Sequence, residues 1–291
     1  MSSNVAFLFP GQGRIPDALP PNIDRFSDLL ELAGDAGLQL ETWIGSGQTD
    51  RLTQTDAAQP ALLLDSLSRE QTLRAGGWNP NCVAGHSLGE YVALISAGVL
   101  TPADAMRAVI ERGRLMNGAQ GTMAAILKLD LETVAQLCAK TEAVVANHNA
   151  ATQIIVSGPE DAVQSVMLQA EAAGGRSIPL NVSGPFHSPL MQPAQERLSP
   201  LLQSLDFATP TIPVVSGVSG CAEDEASTLK ELLQRQITAL VRWVDVSSEL
   251  DRLGVDTAIE VGSGDVLTRL GRRSDSSIRF LTFEEATNER V

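Results

Sequence analysis

Aromatic residues supply only 4% of this 291-residue chain, cysteines and histidines number three each, and basic residues are outnumbered to a formal net charge of −14. Each shortage excludes something. The acidic balance argues against nucleic acid or an anionic membrane surface as a partner. Cys82, Cys138 and Cys221 are odd in number and widely spaced, which suits neither a disulfide framework nor a zinc site; they read as small buried hydrophobes in a reducing cytoplasm. No apolar run approaches the roughly 18 residues of a transmembrane helix. The opening M-S-S-N-V-A-F-L-F-P lacks a basic stretch and its apolar run stops at Pro10, so it reads as a buried first strand and not as a signal peptide. Internal repeats and low-complexity tracts are also missing.

What is present is a 43% hydrophobic composition, enough to fill one large domain or two unequal ones. The first half alternates short apolar runs with helical patterns. V-A-F-L-F (5–9) and C-V-A-G (82–85) read as strands. P-A-L-L-L-D-S-L (60–67) opens a helix, and Y-V-A-L-I-S-A-G-V-L and D-A-M-R-A-V-I-E-R-G follow as two more. Such alternation predicts a parallel sheet covered by helices. The middle changes order: strand (122–128), helix (131–140), strands A-V-V-A-N and Q-I-I-V-S-G, a helix from Pro159 to about Ala173, then strand S-I-P-L-N-V. That βαββαβ order is the ferredoxin-like pattern. After residue 190 a helix (189–204) and strands at 211–216 and 257–262 resume the first pattern, and the polar tail E-E-A-T-N-E-R-V reads as frayed. The expected architecture is α/β: a discontinuous large catalytic domain (1–121 and 185–291) with an inserted small ferredoxin-like domain (122–184). A cleft between two such bodies favours ligand binding.

One stretch, V-A-G-H-S-L-G-E-Y (83–91), places Ser87 between two glycines where an apolar strand meets a helix. A nucleophile elbow needs that context, and the Leu88 amide then points where an oxyanion would form. A plain helix cap is the competing reading. Of the histidines, His86 adjoins Ser87 and points to the opposite face, which suits a structural role, and His148 sits in a polar turn. His187, in V-S-G-P-F-H-S-P-L-M, lies at the junction of insert and main domain and is the expected base, with a helix-start histidine as the alternative. No acid between Ser87 and His187 stands out as the orienting member of a triad; Asp130, Glu142 and Asp161 read as solvated residues of the insert.

Arg112 breaks a pattern. With Ala105, Val109 and Met116 it shares the apolar face of one helix, while Arg107, Glu111 and Arg114 lie on the other side. A buried guanidinium requires a partner, and no carboxylate lies one turn away. Either a distant acid supplies that partner or the substrate does, through a carboxylate that fits the planar fork.

Together these residues resemble the malonyl-CoA:acyl carrier protein transacylases of fatty acid and polyketide synthesis. The match runs over nearly the whole chain: F-P-G-Q-G (9–13), A-A-Q-P-A-L (57–62), G-H-S-L-G-E-Y (85–91), E-R-G-R-L-M (111–116), G-P-F-H-S-P-L-M (184–191) and E-V-G-S-G-D-V-L (260–267) stand in the family's order. The resemblance implies an α/β-hydrolase-like large domain, Ser87 as the acylated nucleophile and His187 as its base. It implies Gln12 and the Leu88 amide at the oxyanion, and Gln236 as the residue whose carbonyl orients the histidine. Arg112 would bind the malonyl carboxylate, and Phe186 would exclude an α-methyl branch. Asn147, Asn149 and Arg176 fall where the family meets coenzyme A or the carrier. The chain departs from the family pattern at R-I-P-D-A-L-P (14–20), at Ala151 and at Leu240, positions that bear on the entrance and the docking surface.

The activity so implied is ping-pong transfer of a malonyl group from malonyl-CoA to the phosphopantetheine thiol of an acyl carrier protein, by a cytoplasmic monomer needing no metal or prosthetic group. A serine thioesterase or acyl hydrolase is the alternative, and a catalytically silent carrier-binding module is a third reading. For an acidic carrier, R-L-G-R-R (269–273), Arg235 and Arg242 are the candidate contacts.

Overall fold

The computed structural model describes residues 4–13, 16, 22–45 and 49–289; most of R-I-P-D-A-L-P lies outside them. Two sheets organise the chain. The strands are β1 (Val5–Phe9), β2 (Cys82–Gly85), β3 (Thr122–Leu127), β4 (Val144–Ala150), β5 (Gln153–Gly158), β6 (Arg176–Pro179), β7 (Val214–Val215), β8 (Ala222–Glu223), β9 (Thr257–Glu260) and β10 (Arg279–Thr282). The larger sheet has the order β10-β9-β1-β2-β7-β8. Its pairs are parallel except β7 with β8, so the fold is α/β with a mixed, mostly parallel sheet.

β1 shows why the sheet is buried on both faces. Side chains alternate along a strand, and here both sets are apolar. Val5, Phe7 and Phe9 join one core with Leu63, Leu94 and Val109. Ala6 and Leu8 join another with Trp243, Val246 and Leu267. Continuous apolar runs of this kind are the signature of a helix-covered parallel sheet.

The second sheet, β4-β5-β3-β6, is antiparallel throughout. One face is covered by the helices Leu131–Cys138 and Glu160–Ala172 through Val134, Cys138, Val163 and Val166. Met123, Ala125 and Ile155 point the other way and join the core of the larger sheet. The link back to that sheet is tight: a Cβ on Gly121 would meet the Gly158 carbonyl at 2.6 Å and the Pro185 ring at 2.7 Å.

Several expectations change. The helix opening at Pro60 begins at Thr55 and runs to Ala75; Pro60 sits in its second turn, forgoing only the bond to the Asp56 carbonyl. The helix expected over 91–100 spans Gly89–Ser96, and Gly98 turns away with φ of 75°. β6 and β7 are shorter than the apolar runs that suggested them. His148 lies within β4, not in a turn; its amide donates to Val241 across a bulged strand and its side chain is half-buried. Cys82 and Cys138 are buried as expected, but Cys221 is exposed, because it occupies the tight connection between β7 and β8. The tail is not frayed as far as Glu289: Phe283–Asn288 is a helix held by a capping box of Thr282 and Glu285, and residues 290–291 lie outside the described residues. Its Ala286 is buried, with the Ala286 carbonyl accepting from Trp78 Nε1 at 3.1 Å. Among the described residues no helix is long and apolar enough to cross a membrane.

The junction of β2 with the Gly89–Ser96 helix carries the most demanding packing in the chain. A Cβ at Gly85 would meet Gly89 and Glu90 backbone at 2.1 Å, and one at Gly89 would meet the Phe9 carbonyl at 2.0 Å. Neither neighbour is a flexible side-chain end. Gly89→Ala is therefore expected to lower stability by about 1–3 kcal/mol, read as a reduced midpoint in denaturant with an unchanged slope.

Candidate active site

At that junction Ser87 takes φ of 52°, left-handed for a residue with a Cβ, a strain that persists only where the surroundings enforce it. The two glycines enforce it by letting the helix fold back over β2 and against the end of β1. Ser87 Oγ is thereby held 2.8 Å from His187 Nε2. In the turn that follows, the amides of Gly89, Glu90 and Tyr91 donate to the carbonyls of His86, Ser87 and Leu88. The Leu88 amide has no protein acceptor among the described residues.

His187 is also left-handed, with φ of 56°, and its amide donates to the Ile237 carbonyl at 3.1 Å. Its Nδ1 lies 3.0 Å from the carbonyls of both Gln236 and Ala239. Two acceptors at Nδ1 place the ring proton there and leave Nε2 as the lone-pair nitrogen facing Ser87. The missing triad acid is thus replaced by backbone carbonyls. Burial above all, then the nearby Arg112 and His86, lower the His187 pKa to about 3 against the opposing pull of those carbonyls.

Arg112 comes to the same point. Its side chain is 1% exposed, yet its partners are neutral: Nη1 donates to Gln59 Oε1 at 2.5 Å, and Nη2 to Ser87 Oγ at 3.1 Å and Gln236 Oε1 at 3.2 Å. Nε has no partner. Among the described residues no carboxylate forms an ion pair with it, so the distant-acid alternative has no direct contact behind it. Burial lowers its pKa from the ordinary value, opposed by Tyr91 and Glu90. Such a site can take a proton from a hydroxyl, stabilise an anion at Leu88 and receive a carboxylate at a desolvated guanidinium.

The other expected residues divide. Gln12 is present but faces Arg112's network: Thr55 Oγ1 donates to Gln12 Oε1 at 2.8 Å and accepts from Gln59 Nε2 at 2.8 Å. Phe186 is buried beside His187. Asn149 Oδ1 lies 2.9 Å from His86 Nε2, and the His86 ring packs on Trp243 with centroids 5.3 Å apart, so His86 is the structural histidine. Asn147 is buried, with Oδ1 unpartnered among the described residues. Arg176 is exposed at the start of β6 opposite Leu127. That is the end of β3 remote from Gly121 and Pro185, where Leu127 also pairs with Gln153 of β5. Of the proposed carrier contacts, Arg242 pairs with Asp245, Arg269 with Asp265 and Arg272 with Glu285. Sequence reasoning missed Gln59, Thr55, Glu90 and Ser216. The first and third lie inside quoted motifs, A-A-Q-P-A-L and G-H-S-L-G-E-Y; nothing in the sequence marks the other two.

Residues 25–283 match the family described as the acyl transferase domain, which makes this an acyltransferase. Relatives narrow the class. The malonyl CoA-acyl carrier protein transacylase of Bacillus subtilis is 38% identical over 97% of this chain and 94% of its own. The crystal structure of FabD from Acinetobacter baumannii superimposes with a TM-score of 0.90 at 32% identity, covering 100% of this chain and 99% of that one. A malonyl-transacylase solved in complex with a type II PKS acyl-carrier protein gives 0.89 at 31% identity, covering 99% and 100%. The chain belongs to the malonyl CoA-acyl carrier protein transacylase family.

The lowered His187 pKa sets a pH expectation. The base works only when neutral, and its pKa lies near 3 in the fold. The rate of Ser87 acylation, read by rapid quench, should therefore stay within about twofold from pH 8 to pH 5, with no inflection near the ordinary histidine pKa. The sign for stability follows from the same shift. A depressed pKa contributes stability that is present above the unfolded value of about 6.5 and lost as pH falls towards 3.

Proposed function

We propose that the protein transfers the malonyl group of malonyl-CoA to the phosphopantetheine thiol of an acyl carrier protein through a malonyl ester on Ser87. The observation that carries this reading is Arg112: a buried guanidinium that no carboxylate bonds among the described residues, 3.1 Å from the serine that would hold the acyl group. The guanidinium is buried, so its charge is weakly screened, and a substrate carboxylate is the bonded partner it lacks. A plain acyl hydrolase has no use for it.

In this reading His187 Nε2 takes the Ser87 proton as Oγ attacks the thioester carbon. The Leu88 amide donates to the oxyanion. Collapse breaks the C–S bond, and the proton on His187 passes to the departing coenzyme A thiolate. The carrier thiol then repeats the sequence in reverse, its proton going to His187 and Ser87 leaving reprotonated. Gln236 and Ala239 hold the imidazole through their carbonyls, and Phe186 narrows the space beside the malonyl α-carbon. Gln12, whose side chain is engaged by Thr55, belongs with the groups that brace Arg112, and its loop lines the oxyanion side. Asn147, Asn149 and Arg176 are assigned to the coenzyme or carrier, Asn149 acting through His86 and Arg176 from the periphery. The working form is a cytoplasmic monomer, with no metal or prosthetic group. The architecture that accompanies this function is an α/β-hydrolase-like body (1–121 and 185–291) with a ferredoxin-like insert (122–184). The strand order β4-β5-β3-β6 and its two helices support that division.

Intact-protein mass after brief exposure to malonyl-CoA tests the reading. Wild type should gain one malonyl group and Ser87→Ala none. Arg112→Ala should lose the preference for malonyl-CoA over acetyl-CoA by on the order of a hundredfold. Free malonate accumulating without an acceptor would return the hydrolase.

A further inference from the structure

Three residues beyond the nucleophile, Glu90 lies at the start of the Gly89–Ser96 helix with only 2% of its surface exposed. Its carboxylate is hydrogen-bonded to neither Ser87 Oγ nor His187. Its Oε1 accepts from Ser216 Oγ at 2.6 Å and its Oε2 from Gln236 Nε2 at 2.7 Å. Among the described residues no ion pair joins it to Arg112, although the two are buried one side chain apart. Burial raises its pKa above the usual carboxylate range, opposed by the bonds from Ser216 and Gln236 and by the charge of Arg112.

The side chain between them is Gln236. Its Nε2 donates both to the Ser87 carbonyl, at 2.8 Å, and to Glu90; its Oε1 accepts from Arg112 Nη2. A reversed amide would set an oxygen against two acceptors and an NH2 against the guanidinium, so only one orientation satisfies every group. We infer that Glu90 is a positioning residue for the malonyl specificity of this site: by fixing which way the Gln236 amide faces, it aims Arg112 at a substrate carboxylate beside Ser87. This inference rests on the role proposed above for Arg112. The indirect arrangement has a chemical consequence. A carboxylate bonded to Arg112 would hold the guanidinium against the substrate. A neutral amide oxygen holds its direction yet yields more readily to an incoming carboxylate, while Glu90 keeps that amide from turning.

The test compares the rates at which malonyl-CoA and acetyl-CoA acylate Ser87 in single turnover, read by intact mass on the full chain. Glu90→Gln keeps an acceptor oxygen for Gln236 and should hold the malonyl-to-acetyl ratio within about threefold of wild type. Glu90→Met removes that acceptor and should lower the ratio by about tenfold or more. Gln236→Met, which leaves the backbone carbonyl to His187 in place, should lower it equally, and the double variant should fall no further. A loss of ratio that is the same in Glu90→Gln and Glu90→Met would assign the effect to charge and overturn the inference, as would additive losses in the double variant. A variant that slows both substrates alike, leaving the ratio unchanged, would show a structural role only. Should Glu90→Met not fold, Gln236→Met alone decides: an unchanged ratio overturns the relay. Arg112→Ala separates the two readings. If it leaves the ratio intact, the role of Arg112 fails; if it abolishes the ratio and Glu90→Met does not, only the positioning role fails.

Discussion

A buried guanidinium with only neutral partners is the constraint on which the rest of the site depends. A buried charge with no directly bonded counter-charge is costly, and this chain meets that cost with amide and hydroxyl oxygens from three directions. Gln59 comes from the Thr55–Ala75 helix, Gln236 from the segment after the Ala226–Arg235 helix, and Ser87 from the elbow. Holding three elements around one arginine also brings the serine, the histidine and the helix amide into register.

The strain in the backbone is concentrated in the same place. Ser87 and His187, which face one another, are two of the three non-glycine residues with positive φ among the described residues. The packing that maintains them is strong: glycines 85 and 89 permit backbone contacts that no side chain could occupy, and the His187 ring is pinned by two carbonyls. A rigid scaffold of this kind places the reacting groups in advance, which is how enzymes avoid reorganisation during the reaction. The second sheet adds a wall. β4 bridges to Val241 and meets His86 through Asn149, so the end of β2 is held from both sheets.

Gln236 illustrates how one residue can serve two ends of a site. Its backbone carbonyl faces His187 and its side chain faces Arg112. The base and the specificity element are thus attached to the same few atoms of chain, and Glu90 stands behind them. In place of a triad acid, two backbone carbonyls orient the ring.

The amino-acid order by itself determined the strand-helix alternation, the βαββαβ sequence of the middle segment, the elbow at Ser87 and the anomaly of Arg112. All of these are local patterns: apolar periodicity, two glycines around a serine, one charged residue on an apolar face. Strand ends were less legible, as β6 and β7 show, because pairing and not composition decides where a strand stops. The C-terminal strand β10, and the ordered tail under Trp78, have partners more than twenty and two hundred residues away respectively, beyond any local signal. Only the tertiary structure decided that Gln12 turns to Thr55 and that Gln59 and Glu90 complete the environment of Arg112. Hydrogen bonds between distant side chains leave no periodicity in a sequence; they exist only once packing has brought the donors and acceptors together and removed the water that would otherwise satisfy them.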